Sequence, residues 1–444
     1  MRVHLIAIGG SAMHNVALAL QENGHEVSGS DDQIFEPSKG RLKAKGLLPT
    51  EEGWNPNRIT SDLDVVILGM HARKNNPELA RAIEVGIPVK SYPEFFYEEC
   101  KNKKRVVIAG SHGKTTITSL ILHVLLAQNI QFDYLVGAQL AGFDTMVQIS
   151  DAPIVIIEGD EYLSSPIDLK PKFLWYKPHI TCISGIAWDH INVFKTEADY
   201  DLQFQLYLNS VEPGGKVFGC GSDEKVVELL KANPKLGGEL YSPSNIEERK
   251  GVFYYGGLES EIELKVQGAH NIKNLFAAEK MCLELGVESD DFWKAIASFT
   301  GAAKRLEPIP TQSFKAVFKD FAHAPSKVRA TNQALYELYG DKLVSILELH
   351  TFSSLNKTFL PQYKGAMGET KKKWVFFDPK SVEHKQLPAL SKEDVWAAFN
   401  DDTLDVFTDS DELFRQIKKC DPESVLLMMS SGNWSGKKLE EELK

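Results

Sequence analysis

Residues 110–116 read GSHGKTT, between the apolar run RVVIA and the stretch ITSLILHVLLA. Gly110 and Gly113 would let backbone amides close around phosphate oxygens. Lys114 would carry a point charge toward the β- and γ-phosphates, and Thr115 has the hydroxyl that ligates Mg²⁺ in such loops. The glycines stand closer than in the usual phosphate loop, and Ile108 or Ala109 occupies the place of the first glycine, so the match is to GKT with a variant lead. His112, an imidazole where phosphates should lie, is the unusual feature. Downstream, IVIIEGDEY ends an apolar run in Glu158, Asp160 and Glu161, the hard oxygen ligands that a metal beside polyphosphate needs; read alone, they equally suit a surface acidic cluster. ISGIAWDHINVF sets Asp189 and His190 at a third strand end, and the residues alone leave His190 open as metal ligand, base or capped loop histidine. Near the start, IAIGGSAMHN puts Gly9 and Gly10 between a strand and a helix. That suits a pyrophosphate, but without the full GxGxxG spacing it equally suits a plain βα turn. Asp31, after EVSGS, is compatible with a nucleoside contact or a helix cap.

The elements that must position these groups alternate. VHLIAIGG, EVSGSD and DVVILGM read as strands between the helical stretches NVALALQEN and PELARAIEVG, which predicts a parallel α/β sheet. The charge run KNKKR interrupts the pattern, and RVVIAG opens a second unit with IVIIEGD, ITCISG, KVFGC and the helix NIKNLFAAEKMCLELG. After GAAKRLEP, the strands VFKDFA, LVSILEL, WVFFD and VLLMMS alternate with VRATNQALYELY and DELFRQIKK. The expected domains are 1–102, 103–303 and 304–444, in keeping with about one domain per 150 residues over 444 residues. A hydrophobic content of 43% allows a large core, and a net charge of -11 argues against diffuse attraction to nucleic acid or an anionic membrane. The five cysteines never occur as CxxC and read as reduced cytosolic thiols. The N-terminal apolar run is too short for a signal peptide, no run of about 18 apolar residues exists to span a membrane, and a cytoplasmic location is expected.

Taken together, GSHGKTT, EGDEY, the DH of AWDH, GAHNIKN at 268–274, AAKRLE near 305 and DFAHAP at 320–325 resemble the Mur ligases of peptidoglycan synthesis, in that family's order and over nearly the whole chain. The resemblance implies three α/β domains: a Rossmann-like N-terminal domain for a UDP-sugar, a central phosphate-loop ATPase domain and a Rossmann-like C-terminal domain for the incoming amine. It implies an ATP- and Mg²⁺-dependent ligase that joins UDP-N-acetylmuramate to an amine through an acyl phosphate. RVHLIAIGGSAMHNVALAL, HEVSGSD, NNPEL and KFLWYKP look most like the branch that recycles the tripeptide L-Ala-γ-D-Glu-meso-diaminopimelate. The alternatives are the L-alanine-adding branch and a catalytically inactive UDP-sugar sensor.

Carried over by motif, the resemblance assigns Lys114, Glu158, His190 and Arg305 to catalysis and Thr115, Glu158 and His190 to magnesium. ATP falls to Gly110, Gly113, Lys114, Thr115, Thr116, Asn271, Asn274, Arg305, Asp320 and His323. The UDP-sugar falls to Gly10, Ser11, Asp31, His71 and His112. One loop then serves two phosphorylated ligands, and an imidazole donating to a phosphate oxygen is consistent with that role. His270 lies beside the adenine-contacting asparagines, and the KRLEP segment is the expected hinge. Three positions depart from the family pattern: no lysine follows Tyr200, where several members carry a carbamylated one; Leu163 replaces an aspartate; and Ala324 replaces a histidine. Lys327, Arg329, His350, Asn356 and Lys357 are the residues expected to meet the charges of the amine substrate.

Overall fold

The computed structural model describes residues 1–140, 142–301 and 305–443. The expected domain boundary at 303/304, and Lys304 of the expected KRLEP hinge, lie outside the described residues. Three sheets carry the architecture, the first wholly parallel and the other two parallel except for one edge strand each. The first joins β1 (Arg2–Ile6), β2 (Glu26–Ser30), β3 (Val65–Leu68) and β4 (Val89–Ser91) in the order β2-β1-β3-β4, all parallel. The helix Ser11–Glu22 follows the Gly9-Gly10 turn directly.

The middle sheet comprises β5 (Lys104–Ala109), β6 (Asp133–Leu135), β7 (Val147–Gln148), β8 (Ile154–Glu158), β9 (Ile180–Ile183), β10 (Lys216–Cys220) and β11 (Glu239–Tyr241), in the order β11-β10-β9-β5-β8-β6-β7. Strand β5 sits where the order reverses, flanked by β8 and β9, and in open α/β sheets such a switch point opens a crevice past the strand ends. VVIA of β5 is wholly buried, as a parallel strand covered on both faces must be. A small antiparallel sheet of β12 (Ile246–Arg249), β13 (Val252–Tyr255) and β14 (Ile262–Leu264) follows.

The last sheet contains β15 (Glu307–Ile309), β16 (Ala316–Asp320), β17 (Leu343–Glu348), β18 (Lys372–Phe376), β19 (Leu404–Phe407) and β20 (Val425–Met429), ordered β15-β16-β20-β17-β18-β19. Only β15 runs antiparallel to its neighbour. The two faces of this sheet have separate apolar clusters, whereas one continuous cluster joins the first sheet to the middle one. All five cysteines are free thiols and four are buried. No helix among the described residues is long and apolar enough to cross a membrane.

Arg105, second residue of β5, is 2% exposed and ties the base of that strand to its surroundings. Its guanidinium donates to the carbonyls of Tyr176 (2.9 Å), Lys177 (3.0 Å), Lys103 (3.2 Å) and Lys101, and to Glu212 Oε1 at 2.7 Å. Removing one partner of a buried ionic network leaves the others without compensation. Arg105→Met is therefore expected to cost about 3–5 kcal/mol and lower the thermal midpoint by several degrees in calorimetry. An unchanged midpoint would contradict this account.

Candidate active site

The register of three strands brings the motifs together. Ala109 of β5 pairs with Ile183 of β9, and Ile108 pairs with Glu158 of β8, so the chains leaving these ends emerge side by side. Gly110 and Gly113 both take positive φ, 125° and 78°, and Gly113 caps the helix Lys114–Ala127. A Cβ on Gly113 would lie 2.6 Å from Asn274 Oδ1, and one on Gly110 would collide with Ser184. The loop therefore requires glycine at both places, for conformation as well as for space. Ser111 locks the turn: its amide donates to Gly185 O at 2.9 Å and its hydroxyl accepts from the amide of Ala187 at 2.8 Å.

Lys114 reaches back to Gly110 O at 2.5 Å and pairs with Glu161 Oε2 at 2.7 Å. Burial opposes the charge on both groups. Their mutual attraction prevails, with Glu161 held well below the usual carboxylate range and Lys114 raised. Tyr200 donates to Glu161 Oε1 at 2.9 Å, and His190 Nε2 lies 3.6 Å from the same oxygen. Tyr200 thus stands against the acidic cluster. Thr115 Oγ1 donates to Glu158 Oε1 at 2.9 Å, and the amide of Gly137 donates to Glu158 Oε2, also at 2.9 Å. Ligand atoms of Asp160, Glu161 and His190 all lie within 4.8 Å of one another.

The metal candidates thus form two adjoining sets, Thr115 with Glu158 and His190 with Glu161 and Asp160. Glu161, absent from the set carried over by resemblance, joins Lys114 to His190. Its signal was present in the EGDEY run. His190 sits seven residues beyond the end of β9, on a loop with φ 57°, rather than at the strand end itself, because a run of glycine, tryptophan and aspartate extends the chain across the mouth of the crevice.

A cleft opens between this loop and the last sheet. It is lined by His112, Thr116, Asn271, Asn274 and His270 from the middle unit and by Arg305, Asp320 and Lys327 from the other side. Asn274 Nδ2 donates to Asn271 Oδ1 at 3.2 Å. Asp320 accepts from the amides of Leu306 (2.8 Å) and Ala322 (2.7 Å), and burial raises its pKa. Arg305 stacks on the ring of Phe321 at 5.2 Å, and Lys327 lies 3.9 Å from Asp189. Burial lowers His112 and His270 to about 4 and His323 to about 3, with Lys327 and the other nearby cations adding to the effect. His323 sits beside the cleft with Nδ1 2.7 Å from Phe321 O.

The first-unit residues lie apart from this cleft. Asp31 accepts from the Gly9 amide at 2.7 Å, and burial raises its pKa to about 7. Its carboxylate thus braces the glycine turn. His71 is exposed, with a ring carbon 3.6 Å from where a Gly10 Cβ would be, and Ser11 is exposed at the helix start. Of the residues expected to meet the amine, Lys327 belongs to the cleft just described. Lys357 pairs with Asp394 at 2.7 Å, Asn356 accepts from the amide of Thr358 at 2.9 Å, and Arg329 faces Lys364 O at 3.4 Å. His350 remains, half-buried beyond the end of β17.

The profile described as "Mur ligase family, catalytic domain" matches residues 2–104, and that described as "Mur ligase middle domain" matches 108–282. The UDP-N-acetylmuramate--L-alanyl-gamma-D-glutamyl-meso-2,6-diaminoheptandioate ligase of Haemophilus influenzae is 26% identical over 448 residues, covering 98% of this chain and 97% of its own. The UDP-N-acetylmuramate--L-alanine ligase of Clostridium kluyveri is 30% identical over 374 residues, 81% of this chain and 80% of its own. Among solved structures, a murein peptide ligase from Psychrobacter arcticus superposes with a TM-score of 0.71 at 21% identity, covering 98% of this chain and 97% of its own.

The three depressed histidines set a pH dependence. An unfolded chain protonates them near pH 6.5, whereas the folded protein resists protonation until about pH 4 or below. Their contribution to stability is complete above pH 6.5 and is lost as pH falls toward 4. The thermal midpoint of the ligand-free protein is expected to decline over that window, and His270→Gln is expected to make the decline shallower. NMR of the imidazole carbon-bound protons checks the cause: all three rings should remain neutral at pH 6, and a ring titrating near 6.5 would contradict it.

Proposed function

The chain belongs to the Mur ligase family, and from that premise we propose that it is an ATP-dependent ligase joining the carboxylate of UDP-N-acetylmuramate to the amine of L-Ala-γ-D-Glu-meso-diaminopimelate. The observation that carries the reading is the convergence of Lys114, Thr115, Glu158 and His190 past three adjacent strands, on the helix, strand end and loop that follow them, with Arg305 and Asp320 across one cleft. The carboxylate takes the γ-phosphoryl group of ATP. The amine then attacks the acyl carbon, the C–N bond forms, phosphate leaves and the amine gives up a proton. The protein's part is position and charge.

In this reading Gly110, Gly113, Lys114, Thr115 and Thr116 cradle the phosphates and Arg305 adds a guanidinium to them. Asn271 and Asn274 meet the adenine, Asp320 the ribose, and His323 closes beside it. His112, held neutral, donates to the UDP-sugar, which Gly10, Ser11, Asp31 and His71 also line. The donor set fits magnesium: Thr115, Glu158 and His190 would hold it, with Asp160 and Glu161 adjoining, and oxygen ligands of this kind suit a hard cation. When bound, the metal neutralises charge developing on the transferring group. The domains are 1–102, 103–303 and 304–444, and the protein works in the cytoplasm.

The Haemophilus peptide ligase, matched over both ends of the chain, supports the tripeptide, while the 30% identity to the Clostridium enzyme favours L-alanine as the second reading. The intact Lys114, Glu158 and His190 argue against an inactive sensor. Coupled measurement of ADP release with UDP-N-acetylmuramate, Mg²⁺ and either tripeptide or L-alanine is expected to show turnover with the tripeptide. No turnover with any amine would overturn the ligase reading, and preference for L-alanine would move it to the second branch. Glu158→Ala is expected to lower kcat by at least about 100-fold, since metal-borne charge stabilisation is worth several kcal/mol. Activity within a few-fold of wild type would make Glu158 a bystander.

A further inference from the structure

The C-terminal ends of the last sheet form one row. Asp320 of β16 pairs with Met429 of β20, Met429 pairs with Leu347 of β17, and Glu348 pairs with Phe376 of β18. Neighbouring strands lie about 4.8 Å apart, so the three steps from β16 to β18 span about 14 Å. At one end of the row Asp320 lines the nucleotide cleft. At the other end stand His350, Phe352 and Lys385.

Most polar groups at that far end already have partners. Glu348 accepts from the Ser430 hydroxyl and from the amide of Trp434 at 3.1 Å. Asp378 accepts from Ser435 Oγ at 2.8 Å and from the amide of Lys380 at 2.9 Å. His350 lies close against Gly432, where a Cβ would be 2.7 Å from its ring, so glycine is what lets the imidazole settle there. Lys385 differs from these. Its half-buried ammonium lies 5.6 Å from the ring centroid of Phe352, which is 44% exposed, and it enters no ion pair with another described residue. Burial lowers the pKa of Lys385, and the field of Glu348 only partly opposes this. The Lys385 ammonium thus faces an exposed aromatic ring with His350 within range of its charge, and although the fields of Glu348 and Asp378 reach these nitrogens, neither carboxylate forms an ion pair with them among the described residues.

We propose that Lys385 and His350, beside the Phe352 ring, form a subsite for a carboxylate of the peptide substrate remote from its reacting amine. The assignment rests on the ligase reading above and names the residues that would make this chain prefer a peptide to a free amino acid. In a free amino acid the carboxylate is attached one carbon from the amine, so it cannot reach the far end of the row while the amine stands at the nucleotide end. Each added residue extends the reach by about 3.5 Å, so a tripeptide with its terminal side chain covers most of the distance. The ring supplies apolar contact for the methylene stems and the ammonium supplies the charge.

The test compares wild type, Lys385→Ala and Lys385→Arg with the tripeptide, with the dipeptide L-Ala-γ-D-Glu, and with a tripeptide amidated at the carboxylates of its last residue. A charge-assisted hydrogen bond to a carboxylate corresponds to about 10-fold or more in affinity. K385A is expected to raise KM for the tripeptide about 10-fold while kcat and KM for ATP stay within two-fold, with K385R restoring most of the loss. The amidated tripeptide should lose affinity for wild type and little more for K385A. Calorimetric titration of the tripeptide into protein holding UDP-N-acetylmuramate and a non-hydrolysable ATP analogue should show the same loss without turnover. A wild-type KM in K385A, or a K385A loss as large for the dipeptide and the amidated tripeptide as for the tripeptide, overturns the subsite while leaving the ligase intact. Absence of tripeptide turnover in the wild type overturns both.

Discussion

The register between β5 and its two neighbours is the constraint on which the rest depends. Parallel strands covered on both faces can present polar groups only past their C-terminal ends, because inside the sheet every side chain is packed and every backbone group is paired. VVIA of β5 and IVII of β8 obey that rule, and the chain turns polar only at Gly110 and Glu158. Because Ile108 pairs with Glu158 and Ala109 with Ile183, the phosphate loop, the acidic run and the Ser184-to-His190 loop leave the sheet at one level. A one-step slip of β8 would carry Glu158 away from Thr115. Buried Arg105 at the opposite end of β5 holds the strand against such a slip by bonding five groups from neighbouring segments.

Charge compensation then decides which groups can remain ionised in the crevice. Lys114 and Glu161 sustain each other against burial, and Glu161 also engages Tyr200 and stands beside His190. The Tyr200 phenol donates a hydrogen bond to Glu161 without adding a charge to this set. Burial first, and then the charges of Lys114, Lys273, Lys327 and Arg305 among the described residues, keep the three imidazoles neutral. A neutral imidazole can still donate a hydrogen bond, so His112 keeps its ability to contact an oxyanion while adding no further charge beside Lys114.

The last sheet applies the same strand-end logic at a longer scale. Asp320 braces the turn at Leu306 and Ala322 at the cleft end, and the row of strand ends leads away from it toward His350 and Lys385. Trp188 of the middle unit meets Phe359 of the last at 6.0 Å, so the two sheets share an apolar contact beside the cleft as well as the charged one between Lys327 and Asp189. The cleft and the proposed peptide subsite thereby lie along one sheet.

Much of this was legible in the residues. The strands around VHLIAIGG, RVVIAG, IVIIEGD, LVSILEL and VLLMMS are continuous apolar runs, a signal that depends only on local pattern. The glycine and GKT spacing likewise marked the loop 110–116, whose two glycines take positive φ. Shorter and more polar elements were not legible: the hairpin-rich segment 246–264, the two-residue strand β7 and the three-residue strands β4 and β15 have no periodicity of their own and exist because a neighbour offers an edge. The partners of the charged groups were equally hidden. Lys357 and Asn356 had the right chemistry for a substrate pocket, yet Lys357 bridges to Asp394 and Asn356 closes a turn, while Lys385 carried no motif at all. The sequence by itself determined which strands form and which residue types follow them, because hydrophobic runs and glycine turns act locally. Only the tertiary structure decided which of those residues face one another, because strand order and register bring together groups separated by tens to hundreds of positions, and local pattern carries no record of that pairing.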